Sequence, residues 1–204
     1  MKKRSDDRVD HGPAKSKGVR NQGMQIPRIP EQQFPSEAES RAFRYAQGYK
    51  NCCQSTLLAL QELFNLDRKD TLKAATGFVG GIGRTGSVCG ALVAGIMAFG
   101  LLYGRDLQTM KHPDAAFRNQ RREEIESRLC LLARELCERF QKEFDGILCD
   151  DIETKLLGRS FDKWDPKDRE EKAKLGGYEK HCPSVMAKGA RWAAEIILKE
   201  RELR

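Results

Sequence analysis

The sequence predicts an all-α fold, a single helical bundle domain of five to seven helices. Three observations carry this expectation. Apolar residues recur at three- and four-residue spacing through several segments. No useful stretch alternates apolar and polar residues, as a half-buried strand would. The periodic segments are bounded by residue types that start and stop helices. The length of 204 residues suits one domain, and no internal repeat divides it.

Residues 1–35 contain few apolar side chains and four prolines, Pro13, Pro27, Pro30 and Pro35, and read as a flexible basic extension. The helical domain is expected over 36–204. Ser36-Glu37-Ala38-Glu39 has the pattern of a capping box, opening a helix to about Gln47 that Gly48 ends. Asn51 is the predicted N-cap of the next helix, whose stripe is Cys52, Cys53, Thr56, Leu57, Leu60, Leu63 and Phe64. A short helix is expected from Lys69 to Ala75.

The run Ala75 to Arg105 follows. It joins a glycine loop (Gly77, Gly80, Gly81, Gly83, Gly86) to an uncharged apolar segment, Val88 to Tyr103, closed by Gly104. That segment is about one turn short of the ~20 residues that cross a bilayer, so it reads as a core helix and no membrane span is expected. Gly86, Gly90, Ala94 and Ala98 share one face, which suits close helix contact. Gly81-x-Gly83-x-x-Gly86 matches a dinucleotide fingerprint only formally. No strand precedes it, and no lysine follows Gly86 to make a phosphate loop.

After Pro113 a long helix is predicted over Asp114 to Phe144, with Ile125, Leu129, Leu132, Leu136 and Phe140 inward and Gly146 as its end. Cys149-Asp150-Asp151 opens a short helix with acidic residues in its first turn. Residues 159–180 are highly charged and read as a surface excursion anchored by Phe161 and Trp164. The last helix starts at Cys182-Pro183, with Cys182 as N-cap and Val185, Ala190, Ala193, Ile196 and Ile197 facing the core.

The net charge is +7, part of it in the first twenty residues. No aromatic platform accompanies that basic arm, so a solvated tail is expected rather than a nucleic-acid contact. No apolar leader follows the basic start, and a cytoplasmic location is expected. Seven cysteines in such a chain read as metal-binding or redox residues rather than disulfide staples. The sequence names no electron-transfer partner and leaves open whether the apolar helix supports a homodimer.

Four helices are predicted to begin with a cysteine in or beside the first turn: Cys52 (with Cys53), Cys89, Cys149 and Cys182. Helix N-termini carry partial positive charge, and thiols there often have pKa values lowered from ~8.5 to ~3.5–7.5. The four are expected to converge. Four thiolates at one point repel, so a bound cation or an iron–sulfur cluster would neutralise them. Two pairs cycling between dithiol and disulfide are the alternative; a helical interaction module with structural cysteines is a third reading. No C-x-x-C-H occurs, so no covalent c-type haem is expected. Cys130 and Cys137 read as core or boundary residues, and His181 as an exposed neighbour of the last helix. Asn51, Gly83, Gly86 and Gly90 are expected to surround the sulfurs through a cap or backbone N–H···S contacts.

Asn51-Cys52-Cys53-Gln54, the glycine run, Val88-Cys89-Gly90-Ala91 with Gly95-Ile96-Met97, Cys149 after Phe144-Asp145-Gly146, and Cys182 together resemble the redox-active family named C_GCAxxG_C_C. The resemblance covers about Ser36 to Lys199. Ala94 stands where the family has its final glycine, with Gly95 next, and Cys53, Cys130 and Cys137 are extra to the pattern. The resemblance implies an all-helical fold and a redox or metal role for Cys52, Cys89, Cys149 and Cys182, and it selects Cys52 over Cys53. The related helical region of split-Soret cytochromes carries an iron–sulfur centre, which makes a cluster the implied cofactor.

Overall fold

The computed structural model describes residues 29–66 and 69–203. Nine α-helices appear among them: α1 Phe34–Tyr49, α2 Cys52–Phe64, α3 Lys69–Ala74, α4 Gly90–Tyr103, α5 Leu107–Met110, α6 Ala115–Phe144, α7 Cys149–Leu157, α8 Pro166–Lys174 and α9 Cys182–Glu202. Among the described residues the sole β pairing is an isolated antiparallel bridge between Val88 and Leu148. The fold is all-α, as the periodicity predicts. No described helix is long and apolar enough to cross a membrane.

The uncharged helix α4 lies against α2, α6 and α9, while α1 packs along α9 and α2. A helix apolar on every side needs neighbours on most sides, and here they are supplied by Leu57, Leu60, Leu136, Phe140, Ile196 and Ile197, all fully buried. Gly95 is where contact is closest. A Cβ there would lie 2.5 Å from Leu136 Cδ2 and 3.3 Å from the Ala193 Cβ. Ala94 beside it is also fully buried, so the small pair keeps the tight approach with its glycine one position later.

Several predicted boundaries move. The expected capping box does not form, because α1 begins at Phe34, with Gln33 as N-cap and Pro35 in the first turn. The Ser36 hydroxyl instead donates to the Gln33 carbonyl at 2.9 Å. The Phe34 ring packs edge-on against Phe64 at 5.2 Å, and Arg201 pairs with Glu31 at 2.8 Å. Residues 29–35 therefore belong to the folded body, and the rest of the predicted extension lies outside the described residues. α1 runs through Gly48 and ends at Lys50 in the left-handed region, and α6 ends at left-handed Asp145 rather than at Gly146. Asp114, the predicted first residue of the long helix, is its N-cap, accepting from the Ala116 and Phe117 amides.

Leu136→Ala is expected to cost about 2–5 kcal/mol in urea unfolding, as a fully buried leucine between helices does. Leu131→Ala, at an exposed position of the same helix, should stay within about 0.5 kcal/mol.

Candidate functional site

Each cysteine reaches the site through a different local device. Cys52 opens α2, whose cap Asn51 accepts from the Gln54 amide at 3.1 Å. The Asn51 side-chain amide also donates to the Thr76 carbonyl at 3.3 Å, tying the start of α2 to the glycine loop. Cys89 is the N-cap of α4, and Cys149 is the first residue of α7. The bridge sets these two side by side. The Cys89 amide donates to the Ile147 carbonyl at 2.9 Å, the Cys149 amide to Ser87 at 2.7 Å, and the Asp150 amide to Gly86 at 3.1 Å. Gly86 has φ +78°, and a Cβ there would fall 2.0 Å from the Asp150 carboxylate. At Gly90 a Cβ would sit 2.4 Å from Cys52 Sγ and 2.8 Å from the Phe78 carbonyl. Glycine at these two positions lets α4 and α7 close on α2.

Cys182 differs from its prediction. A π-helical turn, Gly177–His181, runs straight into α9, and the Cys182 amide donates to the Gly177 carbonyl. Cys182 is thus the first residue of α9 at a junction with no free amide of its own, rather than an N-cap.

All four cysteines line one cavity of about 450 Å³. Cys89 is buried, and the other three are half-buried, their remaining surface opening into the cavity. None forms a disulfide. The expected lowering of their pKa values is reversed. Burial pushes the Cys89 thiol up to about 12, and a charge on Cys52 would raise it further. The Ala91 and Leu92 amides favour the thiolate but do not close to a cap hydrogen bond. Burial likewise raises Cys52, against a backbone N–H from Gly80, and raises Cys149 and Cys182. Desolvation of a charged sulfur outweighs the helix end. Among the described residues, no three His, Cys, Asp or Glu side chains are close enough together to ligate a single metal ion.

The wall behind Cys149 and Cys182 is made of residues that the charged segment 159–180 concealed. Rather than a surface excursion, this segment folds back over the cavity. Glu153, 3% exposed, accepts from Lys163 at 3.1 Å, from Lys172, and from the Phe161 amide at 3.3 Å. Lys163 also donates to Asp150 at 2.5 Å. The Cys149 thiol lies 3.7 Å from Glu153 Oε1. Burial acts to lower the Lys172 pKa, but the hydrogen-bonded Glu153 carboxylate acts against it; the net shift is upward and the ammonium stays protonated. Of the two predicted anchors, Phe161 is buried, whereas Trp164 is exposed with the Arg84 guanidinium 5.1 Å above its ring.

The remaining expectations divide. Cys53 is buried beside Met97, sulfur to sulfur 3.9 Å, and turns into the core. Cys130 is exposed and Cys137 half-buried on α6, neither lining the cavity. His181 does not line it either. Gly83 has φ +64° but nothing within 4 Å of a would-be Cβ, so it shapes the loop and not the sulfurs. The backbone N–H that reaches Cys52 belongs to Gly80 rather than to Gly83, Gly86 or Gly90.

A helical bundle that gathers four cysteines into one cavity defines a class of cysteine-site protein. The chain belongs to the family described as "Putative redox-active protein (C_GCAxxG_C_C)", whose profile matches residues 50–196. The chain is also similar to an "Uncharacterized protein" of Archaeoglobus fulgidus, 36% identical over 66 residues. The match covers 32% of this chain and 44% of that protein, so the chain spans less than half of that relative's length. No solved structure matches the chain.

Gly90→Ala is expected to displace Cys52 and lower the melting temperature, since its methyl meets a backbone carbonyl as well as the sulfur. In metal-free, reduced protein, Cys89 binds its proton more tightly folded than unfolded. Stability should therefore be complete below pH 9 and fall as pH rises from about 9 toward 12, a slope that Cys89→Ser reduces in urea titrations.

Proposed function

We propose that Cys52, Cys89, Cys149 and Cys182 together hold a thiolate-bound metal centre, an iron–sulfur cluster in preference to a lone ion, and that the protein is an electron carrier or oxidoreductase built on it. One observation carries the reading: four thiols outside any disulfide, from four helices, share one cavity. The donor set fits a soft, sulfur-preferring group. Among the described residues no three such side chains form a site for a single ion, and a cluster asks only one thiolate for each metal atom. When bound, such a centre supplies one-electron transfer at a potential set by charge and solvent exposure.

The chain's own residues have definable parts in this. Thiols that burial keeps protonated would release their protons to solvent as a metal took their place on sulfur. Lys163 and Lys172 set positive charge against the sulfurs of Cys149 and Cys182. Ile152, Val185 and Met186 limit water at the cavity wall. The metal-free alternative, thiol–disulfide exchange, needs an attacking thiol with appreciable thiolate near neutral pH; burial drives all four the other way.

Protein purified without oxygen is expected to be coloured and to contain iron and acid-labile sulfide. Cys89→Ser and Cys149→Ser should lose most of both, and Cys130→Ser should keep them. Colourless wild-type protein free of iron, sulfide and zinc would overturn the proposal.

A further inference from the structure

We infer that the same cavity contains a subsite for a small oxyanion, read by Arg84 and Arg169 beside the cysteine sulfurs. This deepens the proposed function and rests on the cavity being the working site. The volume of about 450 Å³ falls among small-molecule sites, which span roughly 300–1,000 Å³. Its charged lining is unbalanced: Lys50, Arg84, Lys163, Arg169 and Lys172 face only Glu153 and Glu179. Lys163 and Lys172 are already engaged by Glu153 and Asp150, and Lys172 also sits 4.7 Å above the Tyr178 ring. Lys50 reaches Glu179 at 3.9 Å. Among the described residues, the side chains of Arg84 and Arg169 have no carboxylate partner.

Arg84 is held in an unusual way. Its backbone is left-handed, φ +64°, a conformation that costs a residue with a side chain and that recurs at functional sites. A Cβ on Gly80 would lie 3.2 Å from Arg84 Cγ and 3.3 Å from Lys163 Cδ, so the loop packs directly beneath both. The guanidinium lies 5.1 Å from the centre of the Trp164 ring, within cation–π range. A planar fork of donors matches paired oxygens, as in a carboxylate, sulfate or phosphate, and one already held against a ring loses less freedom on binding.

The test is titration of the full chain, kept reduced and free of oxygen, with inorganic phosphate, sulfate and acetate at constant ionic strength, chloride being the reference salt. Binding is read by calorimetry and by Trp164 fluorescence. The other tryptophan, Trp192, is packed against Phe140 and Phe144 and does not report on the cavity. At least one anion should bind saturably, and Arg84→Gln and Arg169→Gln should each weaken it roughly ten- to a hundredfold, the loss of a hydrogen bond to a charged group. Arg169 is exposed, so its variant tests the idea even if Arg84→Gln fails to fold. No saturable binding, or binding unchanged in Arg169→Gln, overturns the subsite. Iron and sulfide are assayed on the same preparations. Anion binding by protein that never holds metal sustains the subsite while the metal reading fails; metal-loaded protein that binds none of the three anions does the reverse.

Discussion

The short backbone pairing between 86–89 and 147–150 is the constraint on which the site depends. Three amide hydrogen bonds join the end of the glycine loop to the start of α7, across residues 90–146, which include the whole of α6. In a bundle, helix ends are otherwise free to fan apart. This pairing fixes two of them, with Cys89 and Cys149 at the clasp. Asn51 makes the matching tie on the other side, from the cap of α2 to Thr76. Gly86 and Gly90 are demanded by these ties, since any side chain there would strike Asp150 or Cys52.

Two opposing electrostatic effects meet at the sulfurs, and their sizes decide between them. A helix N-terminus favours a negative group by about 0.3–1 kcal/mol at an exposed site. Moving the Cys89 thiol from 9.0 to about 12 corresponds to an opposing bias of about 4 kcal/mol. The enclosure that gathers the thiols is thus the same thing that keeps them protonated. Buried, protonated thiols are poorly suited to free thiol chemistry, and that is the ground on which a bound centre is proposed.

The charged segment around α8 gives the cavity its second character. Lys163 and Lys172 are buried only because Glu153 and Asp150 accept their protons' hydrogen bonds, and Glu153 is buried only because two ammonium groups and an amide surround it. Removing any one member leaves uncompensated charge in a poor solvent for it. The cluster forms a polar floor to the cavity, and among the described residues Arg84 and Arg169 beside it have no carboxylate partner.

The sequence by itself determined the helices and the placing of cysteines at their starts. Apolar spacing along α2, α6 and α9, the Asn51 and Asp114 caps, and the glycine-to-apolar transition before α4 are local signals, acting within a few turns of chain. It also separated Cys52, Cys89, Cys149 and Cys182 from Cys53, Cys130 and Cys137, through position within each helix and through family resemblance. It misjudged features set by packing at a distance. α1 starts early because Phe34 finds Phe64, and the π turn before Cys182 removes the free amide that a helix start would offer. The burial of Lys163 and Lys172 was hidden because a lysine looks solvated until its partners are known. Only the tertiary structure decided that four helix ends meet, since that depends on bridge hydrogen bonds and on glycine contacts between segments far apart in the chain. It alone set the protonation of the sulfurs, because desolvation belongs to the assembled cavity and to no single stretch of sequence.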